Sequence, residues 1–142
     1  LCLNAEDFGR CMQRSMLVSA DNAHGIHPNY LDRHDDKHGP LLNAGPVIKV
    51  NSNQRYASNS TSIARFSDVC QRAQIPVQHY VVRSDLACGS TIGPITASQI
   101  GVNTVDVGVA SLAMHSIREL AGCRDLFFLY TALKEFFADE NI

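Results

Sequence analysis

The chain has 142 residues, 45% of them hydrophobic and 18% charged, with a formal net charge of −2. That length suits one domain with a substantial core, and the composition excludes a disordered chain. The charge leaves no footprint for nucleic acid and no apolar run reaches membrane-spanning length, so neither nucleic acid nor a membrane is expected as a partner.

Residues 5–14 read as the end of a helix, with Phe8, Cys11 and Met12 at i, i+3 and i+4. The apolar run Met16-Leu17-Val18 starts a buried strand over 16–20. Residues 21–45 hold Gly25, Pro28, Asn29, Gly39, Pro40, Asn43 and Gly45 and read as loop and turns. Pro46–Val50 is a strand, and Asn51–Asn59 a polar loop. Residues 60–74 make the clearest amphipathic helix, capped by Ser60 or Thr61, with Ile63, Phe66, Val69, Cys70 and Ala73 on one face. Pro76 stops it. Val77–Val82 alternates and is β-branched, hence a strand. A Gly-rich loop, Asp85–Pro94, leads into a helix that runs to Ile100 and ends at Gly101. Asn103–Val107 is a strand and Gly108–Met114 a loop. Residues 123–138 form a last amphipathic helix, with Leu126, Phe127, Leu129, Tyr130, Leu133, Phe136 and Phe137. Strands alternating with helices predict a three-layer α/β fold.

The N-terminal Leu1-Cys2-Leu3-Asn4 has neither an initiator Met nor a basic leader, so a fragment of a longer protein is expected. Cys2, Cys11, Cys70, Cys88 and Cys123 form no CxxC pair. Their odd number and spacing argue against disulfides and thiolate zinc, and predict free, mostly buried thiols in a cytoplasmic setting.

The densest chemistry lies in Ser19–Asn29, where Asp21, His24 and His27 follow the first strand. Carboxylate and imidazole are zinc donors, and open α/β sheets place ligand sites at the C-terminal ends of strands. Asp21 also suits a helix cap or Asx-turn, and the two histidines suit carbonyl-bonded loop positions. His115 supplies another imidazole after another apolar strand; alone, it suits a half-buried structural histidine equally. The segment His34-Asp35-Asp36-Lys37-His38 reads as a solvated surface run. Lys49 interrupts Val47-Ile48-Val50. It is either an outward residue on an edge strand or a cation on an apolar wall awaiting an anionic group. In the second case it requires a carboxylate partner. Tyr56 can offer its hydroxyl to the same anion or simply pack. Cys88-Gly89-Ser90-Thr91 lacks the GxSxG elbow and reads as exposed backbone N–H groups near an anion or carbonyl oxygen.

Four stretches carry a family resemblance: SADNAHGIHPNY (19–30), GPVIKVNSNQRYAS (45–58), CGSTIGPI (88–95) and LAMHSIRE (112–119). In this order and spacing they closely resemble the C-terminal part of aspartyl aminopeptidases, cytosolic or vacuolar zinc peptidases that remove an N-terminal Asp or Glu. The resemblance runs from about Phe8 to Phe137. It implies a zinc-exopeptidase-like mixed sheet flanked by helices, with residues 1–142 the C-terminal portion of an incomplete catalytic domain. By the same resemblance, Asp21 and His115 are each a ligand of one of two zinc ions. His24, Lys49 and Tyr56 are substrate-binding, the last two holding the acidic side chain of the substrate's first residue. His27 is similar to a residue linked to a large tetrahedral homo-oligomer.

The family's bridging Asp, first His ligand and paired Glu residues have no counterpart in this chain. A two-zinc hydrolase needs a bridging carboxylate and a general base. The resemblance therefore implies metal-assisted hydrolysis in the full-length enzyme and inactivity of this chain alone. Two alternatives stand beside it. One is a non-catalytic binding or regulatory module that keeps the substrate pocket. The other is a thiol-dependent hydrolase using Cys88.

Overall fold

The computed structural model describes residues 4–83 and 85–140. Its elements, in order, are α1 (Ala5–Arg14), β1 (Met16–His24), a 3-10 turn (Leu31–Arg33), β2 (Val47–Val50), α2 (Ser60–Arg72), β3 (Gln78–Val81), α3 (Ile92–Ile100), β4 (Asn103–Leu112), β5 (Leu120–Ala121) and α4 (Cys123–Ala138). Among the described residues, five strands form one mixed sheet in the order β1-β4-β2-β3, with β5 also on β4. β1 runs parallel to β4, β2 parallel to β3, and β2 and β5 antiparallel to β4.

β4 organises the molecule, being buried from Thr104 to Ser111. Alternation sends its side chains to opposite faces. Val105 and Val107 join Ile48, Phe66, Cys70 and Ala132, so that α2 and α4 cover this face. Full burial of Phe66 contributes on the order of 2 kcal/mol. On the other face Ala110 joins Ala23, Val47, Tyr56, Tyr80 and Val82, supplied by strands and loops. There Asp106 meets Thr91 and Gly93 at the start of α3. The arrangement is a three-layer α/β fold.

Several elements are longer than expected. β1 continues through Asp21 to His24, because its parallel ladder with β4 holds to Ser111. Asp21 therefore lies within the strand, and does not emerge at its end. β4 likewise runs to Leu112, although Gly108, Ala110 and Ser111 read as loop residues. Those small side chains are buried in the sheet. At Gly108 an added Cβ would lie 2.7 Å from the Asn22 carbonyl carbon and 2.8 Å from the Asp21 oxygen. Only glycine lets β1 pass this close.

The cap of α2 is Asn59, not Ser60 or Thr61. Its side chain accepts from Ser62 N while the Ser62 hydroxyl accepts from Asn59 N, a reciprocal capping box. α3 ends at Gly101 in the left-handed region, φ 71°. α4 departs from simple amphipathicity: Leu126, Phe127, Tyr130 and Phe137 are exposed. Its buried residues are Ala132 and Asp125. The Asp125 carboxylate accepts from Asn43 N at 2.6 Å and Gly45 N at 2.9 Å, tying the turn before β2 to the start of α4.

The thiols are also less enclosed than expected. Cys70 is buried, Cys88 half-buried, and Cys11 and Cys123 exposed, all of them free. Cys2 lies outside the described residues. The two exposed thiols sit on the outer faces of α1 and α4.

Candidate active site

Lys49 is the centre of the constellation. It lies on β2, an interior strand between β4 and β3, and is 2% exposed. The edge-strand reading of this residue is therefore ruled out. Its side chain reaches across β4 to β1, where Nζ donates to the Asn22 carbonyl at 2.9 Å and stands 3.6 Å from Asp21 Oδ2. Burial pulls the Lys49 pKa down, and the charges of Asp21 and Asp106 oppose the shift. A buried ammonium does need such carboxylate partners.

Tyr56 lies beneath the same ammonium, with Nζ 5.3 Å from the ring centroid. This is a cation–π contact in a largely desolvated setting. The ring is buried and packs in the cluster that Cys88 also joins, and burial pushes its phenol pKa upward. The loop that carries Tyr56 is fastened from behind. Ala57 N donates to Asp106 Oδ2 at 2.6 Å, and the Ser58 hydroxyl accepts from Asp106 N at 2.9 Å. Asp106 itself is fully buried. It escaped the sequence reading, although a carboxylate in the apolar run Val105-Asp106-Val107 is the same kind of signal that drew attention to Lys49.

Asp21 is the solvent-facing member, with its side chain 57% exposed. His24 ends β1. Partial burial, then the nearby His115 and Lys49 charges, lower its pKa. His115 follows β4 in a turn and is exposed, with φ 67°. Its backbone N–H donates to the Glu119 carboxylate. Because β1 and β4 are parallel and adjacent, Asp21, His24 and the His115 turn all lie toward one end of the sheet.

Beside them is a cavity of about 690 Å³ whose lining includes His24, His27, Arg33, His34, Tyr80 and Leu112. His27 Nδ1 accepts from Asn29 N at 3.1 Å. His34 departs from the surface reading of residues 34–38. It bridges to Val82, packs 5.8 Å from the Tyr80 ring and has a buried Nδ1 with no hydrogen-bond partner. Asp36, Lys37 and His38 do face solvent. The sequence missed His34 because its neighbours are all polar and only the bridge to Val82 turns it inward.

A zinc centre can be tested against these residues. Asp21 and His115 offer one carboxylate and one imidazole, donors of the right chemistry. Among the described residues, however, no three His, Cys, Asp or Glu side chains are grouped to hold a metal ion. The chain by itself does not fit a complete centre. Cys88 packs against the apolar cluster around Tyr56 and Tyr80.

Comparisons agree with the motifs. The family profile described as aminopeptidase I zinc metalloprotease (M18) matches residues 2–137. A probable M18 family aminopeptidase 2 of Pseudomonas paraeruginosa is 63% identical over 135 residues, covering 95% of this chain and 32% of the relative. The chain thus spans about a third of the length of the curated relatives it matches. Among solved structures, a chain in the cryo-EM structure of the Ape4 and Nbr1 complex is 45% identical with a TM-score of 0.94, covering 98% of this chain and 26% of that one. The mApe1 dodecamer of S. cerevisiae is 30% identical with a TM-score of 0.82, covering 92% and 28%.

Proposed function

This chain belongs to the family of aminopeptidase I zinc metalloproteases (M18), and from that membership we propose that residues 1–142 work as the C-terminal portion of a dinuclear-zinc aminopeptidase that removes N-terminal Asp or Glu from peptides. The observation that carries this reading is Lys49: a buried ammonium, held by the Asn22 carbonyl and Asp21, over the ring of Tyr56. A cation fixed in a water-poor wall selects an anionic group.

In this reading Lys49 and Tyr56 receive the acidic side chain of the substrate's first residue, with His24 against the same substrate. Asp21 and His115 each give one ligand to separate zinc ions. The remaining ligands, the bridging carboxylate and the general base come from the other two thirds of a protein as long as its relatives. The open outer edge of β1 and the exposed apolar residues of α4 support completion by further structure. A cytoplasmic homo-oligomer of the large tetrahedral kind belongs to the same proposal, with His27 near its contacts.

The test uses the full-length protein on peptides beginning with Asp, Glu, Ala or Leu. Turnover is expected on the acidic pair, lost with a chelator and restored by zinc. Chelator-insensitive turnover, or preference for neutral first residues, overturns the reading. The alternative of a non-catalytic module that keeps the pocket is favoured by the incomplete ligand set of this chain. Acid-selective peptide binding by full-length protein that never turns over would support it.

A further inference from the structure

Asp106 is a fully buried carboxylate whose charge favours the Lys49 ammonium, but the reading above gives it no contact with substrate. It touches neither Lys49 nor Tyr56 by a hydrogen bond, yet it holds together the segments around them. Oδ2 accepts from Ala57 N at 2.6 Å, immediately after Tyr56. Oδ1 accepts the Thr91 hydroxyl at 2.6 Å, in the Gly-rich segment before α3. Its backbone N–H donates to Ser58 Oγ at 2.9 Å.

The neighbours are adapted to this carboxylate. Thr91 occupies the cap position of α3 but makes no side-chain cap bond, because its hydroxyl is spent on Asp106. At Gly93 an added Cβ would lie 2.4 Å from both carboxylate oxygens, so the first turn of α3 sits directly on the charge. The two oxygens thus hold two chain segments about thirty residues apart in sequence, Ala57 and Thr91. Tyr56 and Cys88, one beside each of these segments, pack in the same apolar cluster.

We propose that Asp106 is a positioning residue for substrate selection: it clamps the Tyr56 loop to the segment 88–91 and so fixes the Tyr56 ring beneath Lys49. The proposal rests on the reading of Lys49 and Tyr56 as the pocket for an acidic first residue. A displaced Tyr56 weakens ground-state binding of that residue, which appears in KM and leaves kcat nearly unchanged.

The experiment uses full-length enzyme and substrates beginning with Asp or Leu. In Asp106→Asn, KM for the Asp substrate should rise about tenfold, as for loss of one charge-assisted bond, with kcat within about twofold. KM for the Leu substrate should change by less than about twofold, and amide exchange across residues 51–59 should accelerate. In a Tyr56→Ala background, which lacks the ring, the same substitution should add less than about twofold, because it acts through that residue. Thr91→Val removes one partner only and should move KM the same way, by about threefold. It decides the matter if Asp106→Asn does not fold.

Equal losses on Asp and Leu substrates, or an undiminished effect in the Tyr56→Ala background, would overturn the proposal. An unchanged KM in a folded Thr91→Val would do so where Asp106→Asn cannot be made. A parallel Lys49→Ala variant separates the two claims. If it abolishes acid selectivity while Asp106→Asn spares it, only the role of Asp106 falls. If Lys49→Ala spares selectivity, the pocket reading falls and takes this role with it.

Discussion

Replacing Lys49 by Met keeps the length and volume of the side chain while deleting its charge. The ammonium has three N–H donors. One goes to the Asn22 carbonyl at 2.9 Å, and Asp21 Oδ2, 3.6 Å away, draws a second. One donor is left for a substrate carboxylate. At about 3 Å and an effective dielectric constant of about 20, the gross attraction is about 5 kcal/mol. Desolvation of both charges consumes much of it, and bonds to charged groups retain roughly 1.5–3 kcal/mol net. That range corresponds to a fall of roughly 10- to 150-fold in kcat/KM for peptides beginning with Asp. Peptides beginning with Leu gain nothing from the charge and should change by less than about threefold. The assay is steady-state hydrolysis of matched Asp, Glu and Leu substrates by full-length enzyme. Parallel losses on all three would mean that Lys49 braces β1 against β2 and does not select substrate, and the reasoning would fail.

Three further outcomes are expected. The purified 142-residue chain should show no turnover of Asp- or Glu-initiated peptides with added zinc, since Asp21 and His115 cannot complete a centre; robust, chelator-sensitive hydrolysis by the chain alone would contradict this. In the folded chain at pH 8, maleimide should label Cys11 and Cys123 rapidly and leave Cys70 unlabelled until denaturation. Burial pushes the Cys70 thiol up to about 12, so almost no thiolate exists at that pH; peptide mapping that finds Cys70 labelled as fast as Cys11 would show the α2 face to be open. Asp125→Ala should destabilise the fold by about 2–3 kcal/mol, because it orphans the buried amide of Gly45 and removes the part-buried bond from Asn43. A denaturant titration giving a loss below about 1 kcal/mol would mean that water replaces the carboxylate.

The element pattern was legible in the chain because it rests on local rules. Phe66, Val69 and Cys70 at helical spacing mark α2, and alternation with Pro76 as a stop separates it from β3. Gly101 closes α3 because a left-handed cap favours glycine. The motifs around Asp21, Lys49, Tyr56 and His115 were equally readable, because residue type and order are properties of the chain.

Partners distant in sequence were not readable there. No periodicity predicts that β4 inserts between β1 and β2, and that order alone decides that Lys49 is interior. It also sends the Lys49 ammonium to a carbonyl 27 positions earlier. The ends of β1 and β4 were underestimated because ladder bonds extend strands through residues that look like loop. His34 turned inward, and Asp106 gained partners in two distant segments, for the same reason. A polar side chain takes its environment from what tertiary packing brings against it, and single-sequence patterns record only what lies nearby along the chain.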